Sequence, residues 1–599
     1  MLLVGAAFAL ASLVAPLPVA PLAVAQDLGP ALQAAQAPQQ ASWIARSNAN
    51  AQVLLNVEAK YQPEGAQRRG MPGFDEAVTQ LTPDRRARRK ADREGALREL
   101  QRRLDEEKDP LVAQDLRILI KAAREMLRGD ELNEKYEIPY LNISQLVFNG
   151  LRGLLDDQVP AERRKAALVR LRKYAGMEQG FTPIAEQARA RTREWARAGQ
   201  QGPAKIEVES DLARAVFFVS GIGELFSQYK IDAFQEPYAR LKRQIEDYNA
   251  WVKKEILPKA RTDFRLPPER YAFALEQYGV DIPPAQLTTM AHKAFAEWQG
   301  EIQQIAVQVA KARGWTLTDY RDVIRELKKE QLVGAAILPH YLQRLKEIET
   351  IIARERLVSL PARPARIRLA TAAETAQQPA PHMVSPPLVN NTGQQGEFVL
   401  PLTVPAKPGS SETQQTDDFT FSAASWTLTA HEARPGHELQ FASMVERGVS
   451  LARSLFAFNS VNVEGWGLYA EHILKPHEPL EGQLISLQLR LMRAARAFID
   501  PQLQSAALTP ADGMRILTKD VVLSEAFANT EVERYTFRSP GQATSYFYGY
   551  TRLLDLRKDV ESKMGARFEQ QKFHDFVLAQ GLLPPDLLRK VVMDEFARQ

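Results

Sequence analysis

The sequence predicts a mainly α-helical protein, on three observations. Apolar residues recur at three- and four-residue spacing through most of its 599 residues. The composition, 45% hydrophobic and 25% charged, is that of an ordinary globular chain with ample material for a core. Only one region, Leu360 to Phe421, abandons the helical period.

The chain opens on an apolar leader. Met1 to Ala25 carries no charge and reaches small residues at Ala23 and Ala25 just before Gln26, which reads as a secretory signal peptide with an A-x-A-type cleavage site. The competing reading, a membrane anchor, is disfavoured because Pro16, Pro18 and Pro21 interrupt the stretch before it reaches the ~20 helical residues a span needs. The leader lacks a basic start, as if translation began upstream. Residues 26–45, rich in Ala and Gln, read as a flexible tether, so the expectation is an exported, periplasmic protein without stable membrane insertion.

Thr82 and Pro83 then open a highly charged segment, Asp84 to Lys108, with Leu97, Leu100 and Leu104 at helical spacing. Its basic residues invite a nucleic-acid reading, but acids are interleaved and the whole chain carries only +4, so a solvated helix face accounts for them. Further helices are expected over 112–128, 161–174, 210–229, 237–257, 285–313, 318–330 and 340–355. The interval Leu360 to Phe421 is rich in Pro, Gly, Gln and Thr and holds two β-like runs, Arg366 to Ala370 and Glu397 to Val404. A long irregular insertion in a helical protein is usually functional, so the chemistry is expected where helices resume. There is no cysteine, which excludes disulfides, thiolate catalysis and thiolate metal ligands.

The next helix carries His431-Glu432-Ala433-Arg434-Pro435-Gly436-His437, two of the chain's eight histidines in seven residues. In the H-E-x-x-H zinc helix a four-residue step returns both imidazoles to one face. A six-residue step on a regular helix leaves them about 120° apart and about 9 Å displaced. Pro435 lacks the N–H that would bond the His431 carbonyl and Gly436 tolerates the departure, so a break between Ala433 and His437 would let both histidines chelate. Taken alone, the window reads equally as two surface histidines at a Pro-Gly helix end.

Glu464, in Val463-Glu464-Gly465-Trp466-Gly467, supplies a third candidate ligand from a helix stopped by Pro476. Two-His-one-Glu zinc sites leave the fourth position to water. Gly465 and Gly467 each cost a helix about 1 kcal/mol relative to Ala, which close helix approach at a metal would offset. Glu471, seven residues on, lies on the face of Glu464 and could orient a ligand, or be an ordinary ion-paired carboxylate.

These residues, followed by Arg534-Tyr535, Ser539-Pro540-Gly541-Gln542-Ala543 and Ser545-Tyr546, resemble the bacterial domain-of-unknown-function 885 family, in the right order over about 120 residues. Members resemble gluzincin metallopeptidases of the thimet-oligopeptidase and carboxypeptidase-Taq type. The resemblance implies a large helical, two-lobed zincin-like fold with a deep channel and a small β element near the site. Residues 46–599 would form one such domain, with an N-terminal helical lobe about 46–358, the insertion about 360–421 and a metal-site lobe about 422–599. It implies Zn2+ held by His431, His437 and Glu464. The run Tyr546-Phe547-Tyr548-Gly549-Tyr550 resembles the tyrosine-rich helix of thimet oligopeptidase, which makes Tyr546, then Tyr550, candidates to stabilise an oxyanion. An aromatic packing stripe is the plainer account of that run.

The expected function is therefore zinc-dependent hydrolysis of oligopeptides, with Glu432 taking a proton from the attacking water and passing it to the leaving amine. Alternatives are hydrolysis of non-protein amides such as peptidoglycan peptides, a zinc-retaining binding or scaffold protein without turnover, and a metal-free exported interaction module. Glu397 to Val404 could offer a sheet edge to an extended peptide, with Gly393 and Gly396 suiting close backbone contact or merely a hairpin turn.

Overall fold

Among the described residues, the first helix starts at Ser42. The computed structural model describes residues 42–136, 140–196, 200, 202–405 and 413–598, so the leader and most of the expected tether lie outside the described residues. The tether boundary at 45 is corrected: Ser42–Tyr61 is one helix, anchored where Trp43 lies under the guanidinium of Arg453, 5.1 Å from its ring, and where Ser47 Oγ donates to the buried carboxylate of Asp115.

The charged segment is the helix Arg85–Glu106. Most of its basic residues are taken up by carboxylates, Arg93 by Glu58 and Asp130, Arg102 by Glu99 and Glu106, while Ala96 and Leu100 face the core. The expected 112–128 extends over Pro110–Tyr136, and 161–174 divides into Ala161–Arg164 and Ala166–Tyr174. The stretch 237–257 is a helix, Gln235–Trp251, that finishes in a π-helical turn, Val252–Ile256. The helices Ile143–Arg152, Ile184–Trp195 and Pro268–Tyr278, at ten to twelve residues, were too short to stand out by period.

The largest apolar core gathers around two long helices, Pro284–Arg313 and Leu480–Gln504. It joins them to the sheet through Ile367, Phe398 and Leu400, and to the helix Ser422–Glu432 through Ala424 and Leu428. The helices Ser460–Leu474 and Thr544–Met564 cross at their glycines: a Cβ on Gly549 would lie 2.0 Å from the Val461 carbonyl oxygen, and one on Gly465 2.6 Å from the Gly549 carbonyl carbon. Backbone meets backbone there, which no larger residue permits.

The insertion contains five short strands: β1 (Arg366–Leu369), β2 (His382–Val384), β3 (Glu397–Leu400), β4 (Thr403–Pro405) and β5 (Thr413–Gln415). β3 is central, parallel to β1 and antiparallel to β2, with Phe398 opposite Ile367 and Met383; β4 and β5 pair separately. The expected run Glu397 to Val404 is thus split, and its role as a free edge is corrected. All four β3 residues are buried between two neighbours, and the outer edges of the sheet belong to β1 and β2. Among the described residues no helix is long and apolar enough to cross a membrane.

Candidate metal centre

The helix Ser422–Glu432 stops one residue after His431, and a second helix starts at His437 and runs to Arg447. Between them the backbone turns on itself: the amides of Ala433 and Arg434 both bond the Thr429 carbonyl, and the Leu439 amide reaches back to that of Ala433. The Arg434–Pro435 peptide is cis. Gly436 sits so close to the preceding turn that a Cβ would lie 1.9 Å from the His431 carbonyl oxygen. Two side chains hold the break. Trp466 Nε1 donates to the Pro435 carbonyl at 3.0 Å, and the buried Arg434 donates to Glu438, Glu349 and the Arg363 carbonyl.

The break lets two imidazoles six residues apart meet. Their rings pack edge to face with centroids 4.6 Å apart. Oε2 of Glu464 lies 3.4 Å from His431 Nε2 and 3.2 Å from His437 Nε2, and one donor atom of each residue falls within 4.8 Å of the other two. Yet Glu464 Oε2 makes a geometrically sound hydrogen bond to neither ring. Short distance without hydrogen-bond alignment is what lone pairs aimed at a shared third point produce. His437 Nδ1 is buried without a partner.

Behind the cluster, Glu471 Oε1 takes His431 Nδ1 at 2.7 Å, and its other oxygen accepts from Thr427 Oγ1 at 2.7 Å. That bond leaves Nε2 as the ring atom facing Glu464. Burial pulls the His431 imidazolium toward deprotonation, but Glu464 and Glu471 outweigh it and raise its pKa to about 9. Burial likewise pushes the Glu464 carboxyl up, and the two imidazoles hold it well below the ordinary range. Gly467 lies against both rings, since a Cβ there would approach His431 Cε1 to 2.6 Å and His437 Cε1 to 2.9 Å.

All three residues line a cavity of about 1370 Å3, which extends between the first half of the chain, the β2 segment and the helices of the C-terminal third. Glu432 lines it beside His431, and burial raises its carboxyl above the usual value. Tyr546 lines it too, its ring stacked at 6.2 Å from that of His431 and its hydroxyl accepting a 3.4 Å bond from Arg534. Tyr550 does not. The expectation for Tyr550 is corrected, because one turn further along its hydroxyl pairs with His472 Nδ1 at 3.0 Å inside the core, away from the cavity lining.

Residues to which the sequence assigned no role complete the surroundings. Arg493 and Arg496, on the long helix Leu480–Gln504, stand within 5.9 and 4.5 Å of the Tyr546 ring. Gln542 Nε2 reaches Glu464 Oε1 at 3.4 Å. The arginines belong to no local motif, although their three-residue spacing does put them on one helix face.

A family model described as "Bacterial protein of unknown function (DUF885)" matches residues 63–592. No curated protein matches the chain. Two solved structures are similar over nearly their whole length. A "putative lipoprotein" from Colwellia psychrerythraea has 19% identity and a TM-score of 0.72, covering 92% of this chain and 99% of the other. A second, from Shewanella oneidensis and described as of unknown function, has 18% identity and a TM-score of 0.65, covering 92% and 100%. At these identities the likeness establishes a shared fold.

Proposed function

The chain belongs to this family of bacterial proteins of unknown function, and we propose that it is an exported zinc-dependent metallopeptidase that hydrolyses peptide bonds in oligopeptides. The observation that carries the reading is the convergence of His431, His437 and Glu464 on one point at the wall of a large cavity, with Glu432 and Tyr546 beside it.

The donor set suits zinc: two imidazoles and one carboxylate, oriented toward each other without satisfying each other. When bound, zinc supplies Lewis acidity, polarising a carbonyl and lowering the pKa of a water. The chain's own groups do the rest. Glu432 accepts the proton of the attacking water on its carboxylate and delivers it to the leaving amine nitrogen. The Tyr546 phenol, kept protonated by its burial, donates a hydrogen bond to the oxygen on which negative charge develops. Glu471 fixes the ring of His431 through Nδ1. The unpaired edge of β2, whose residues His382, Met383 and Val384 line the cavity, offers backbone groups to an extended peptide.

Export is supported by the apolar leader Met1 to Ala25 and by neighbours described as lipoproteins. With no cysteine among the 599 residues, none of them can carry a thioether-linked lipid.

The reading is tested by metal analysis and turnover together. Purified protein should hold close to one zinc per chain and cleave peptides from a mixed library, and Glu432→Gln should keep the zinc and lose cleavage. Protein that retains no zinc, or equal cleavage by Glu432→Gln, would overturn it.

A further inference from the structure

The run Ser539-Pro540-Gly541-Gln542-Ala543 takes no part in the cleavage described above, yet it folds as a turn beside the metal centre. The Gln542 amide bonds the Ser539 carbonyl at 3.0 Å, and Gly541 holds φ +89°, a region that glycine enters without strain. The Gly541 amide faces both oxygens of the buried Asp500 at 2.9 Å, and the Tyr271 hydroxyl fixes Asp500 in turn at 2.8 Å. On the other side, the Ser545 hydroxyl donates to the Gln542 carbonyl at 2.6 Å and lies 2.7 Å from Ser460 Oγ. The turn is thus tied to the helix Leu480–Gln504 through Asp500 and to the helix Ser460–Leu474 through Ser460.

The directions of these bonds are determined. Ser545 has one hydroxyl proton and gives it to the Gln542 carbonyl, so Ser460 gives its own to Ser545 and keeps lone pairs for a donor. That donor is Gln542 Nε2, at 3.0 Å. The same Nε2 faces Glu464 Oε1 at 3.4 Å. Turning the amide over would set its oxygen against a carboxylate and against a hydroxyl with no proton to give. Nε2 is therefore the atom held toward Glu464, and Gln542 Oε1 is left buried without a partner.

The two oxygens of Glu464 are thereby distinguished. Oε1 is engaged by Gln542, while Oε2 stands 3.4 Å from His431 Nε2 and 3.2 Å from His437 Nε2 with no hydrogen bond of its own. A carboxylate with both oxygens free could give both to a metal and fill the position that a two-His-one-Glu site leaves to water.

We propose that Gln542 is a positioning residue for the metal centre: by holding Glu464 Oε1 it limits Glu464 to one donor atom, Oε2, and keeps the fourth position open. The use of that position rests on the metallopeptidase reading; the placing of Glu464 by Gln542 does not. The same turn leads into the helix Thr544–Met564, so Asp500 and Ser460 also set where Tyr546 stands relative to Glu464.

Gln542→Met keeps the shape of the side chain and removes its donor, and Gln542→Ala removes both. Crystal structures without and with zinc, and X-ray absorption on the zinc-loaded protein, compare them with wild type. Without zinc, the Glu464 carboxylate should keep its orientation in wild type and rotate in Gln542→Met. With zinc, wild type should place one Glu464 oxygen on the metal and Gln542→Met two, a gain of one in coordination number at an unchanged zinc content. The kcat of Gln542→Met should fall by about 10–100-fold with KM within a few-fold. Gln542→Ala should match Gln542→Met in each measurement. If Gln542→Met matches wild type and only Gln542→Ala departs, the role is packing and the proposal is overturned; two-oxygen ligation in wild type overturns it as well. A Glu464 that turns in Gln542→Met although wild type holds no zinc supports the positioning and overturns the metallopeptidase reading. One-oxygen ligation in wild type without peptide cleavage does the same.

Discussion

Gly467 faces two imidazoles at once: a Cβ there would stand 2.6 Å from His431 Cε1 and 2.9 Å from His437 Cε1. The residue is glycine because the helix carrying Glu464 must approach the broken histidine helix closely enough for its carboxylate to reach both rings. Gly467→Ala should therefore displace the rings and weaken zinc binding by about tenfold or more, the range seen when ligand orientation is disturbed. Competition with a chelating dye measures this, with helical circular dichroism as the check on folding. Unchanged affinity would mean that the rings yield freely.

Glu471 acts on the same histidine from behind. Its bond to His431 Nδ1 sets the ring's orientation and directs Nε2 toward Glu464. Replacing it by Gln keeps the shape but removes the charge, and zinc affinity is expected to fall by about 10–100-fold. Loss of zinc from Glu471→Ala but not from Glu471→Gln would assign Glu471 a packing role alone.

How far the site could be read from the chain depends on how local its residues are. His431, Glu432 and His437 sit within seven residues, and Pro435-Gly436 advertised the break. Glu464 stood out through the glycines around it, whose cost in a helix demanded a cause that the Gly465–Gly549 and Gly467–His431 contacts supply. Tyr550 misled because a four-residue step from Tyr546 suggests a shared face, whereas their helix is packed on several sides and the second hydroxyl meets His472. Arg493 and Arg496 gave no local signal, since their meaning depends on Tyr546 and Glu531, which come from other elements. The helical class was legible from period alone. The three-residue β2 was not, being too short for any alternation to register.

The two tyrosines should separate in kinetics. Tyr546 lines the cavity with its hydroxyl near Arg534, and Tyr550 is turned into the core. Tyr546→Phe should lower kcat by about 10²–10³, as loss of one oxyanion donor does, with zinc content intact. Tyr550→Phe should leave kcat within a few-fold and act on thermal stability instead. The reverse pattern in steady-state kinetics would move the oxyanion role to Tyr550 or away from both.

Asp500 makes a prediction about pH and stability that is independent of zinc. Burial pushes its carboxyl up to about 7 from the ordinary 3.8, although the Tyr271 hydroxyl and the Gly541 amide both donate to it. Between about pH 4 and 7 the folded chain thus holds a proton that the unfolded chain has released. The unfolded state binds fewer protons there, so this group's contribution to stability falls as pH rises through that window and levels off above about 7. Asp500→Asn cannot ionise and should escape the loss. Its stability relative to wild type, measured by urea unfolding at pH 5 and pH 8, should be more favourable at pH 8. A difference that stays constant across that range would place the Asp500 carboxyl in its charged form throughout, held by Tyr271, Gly541 and the nearby Arg534.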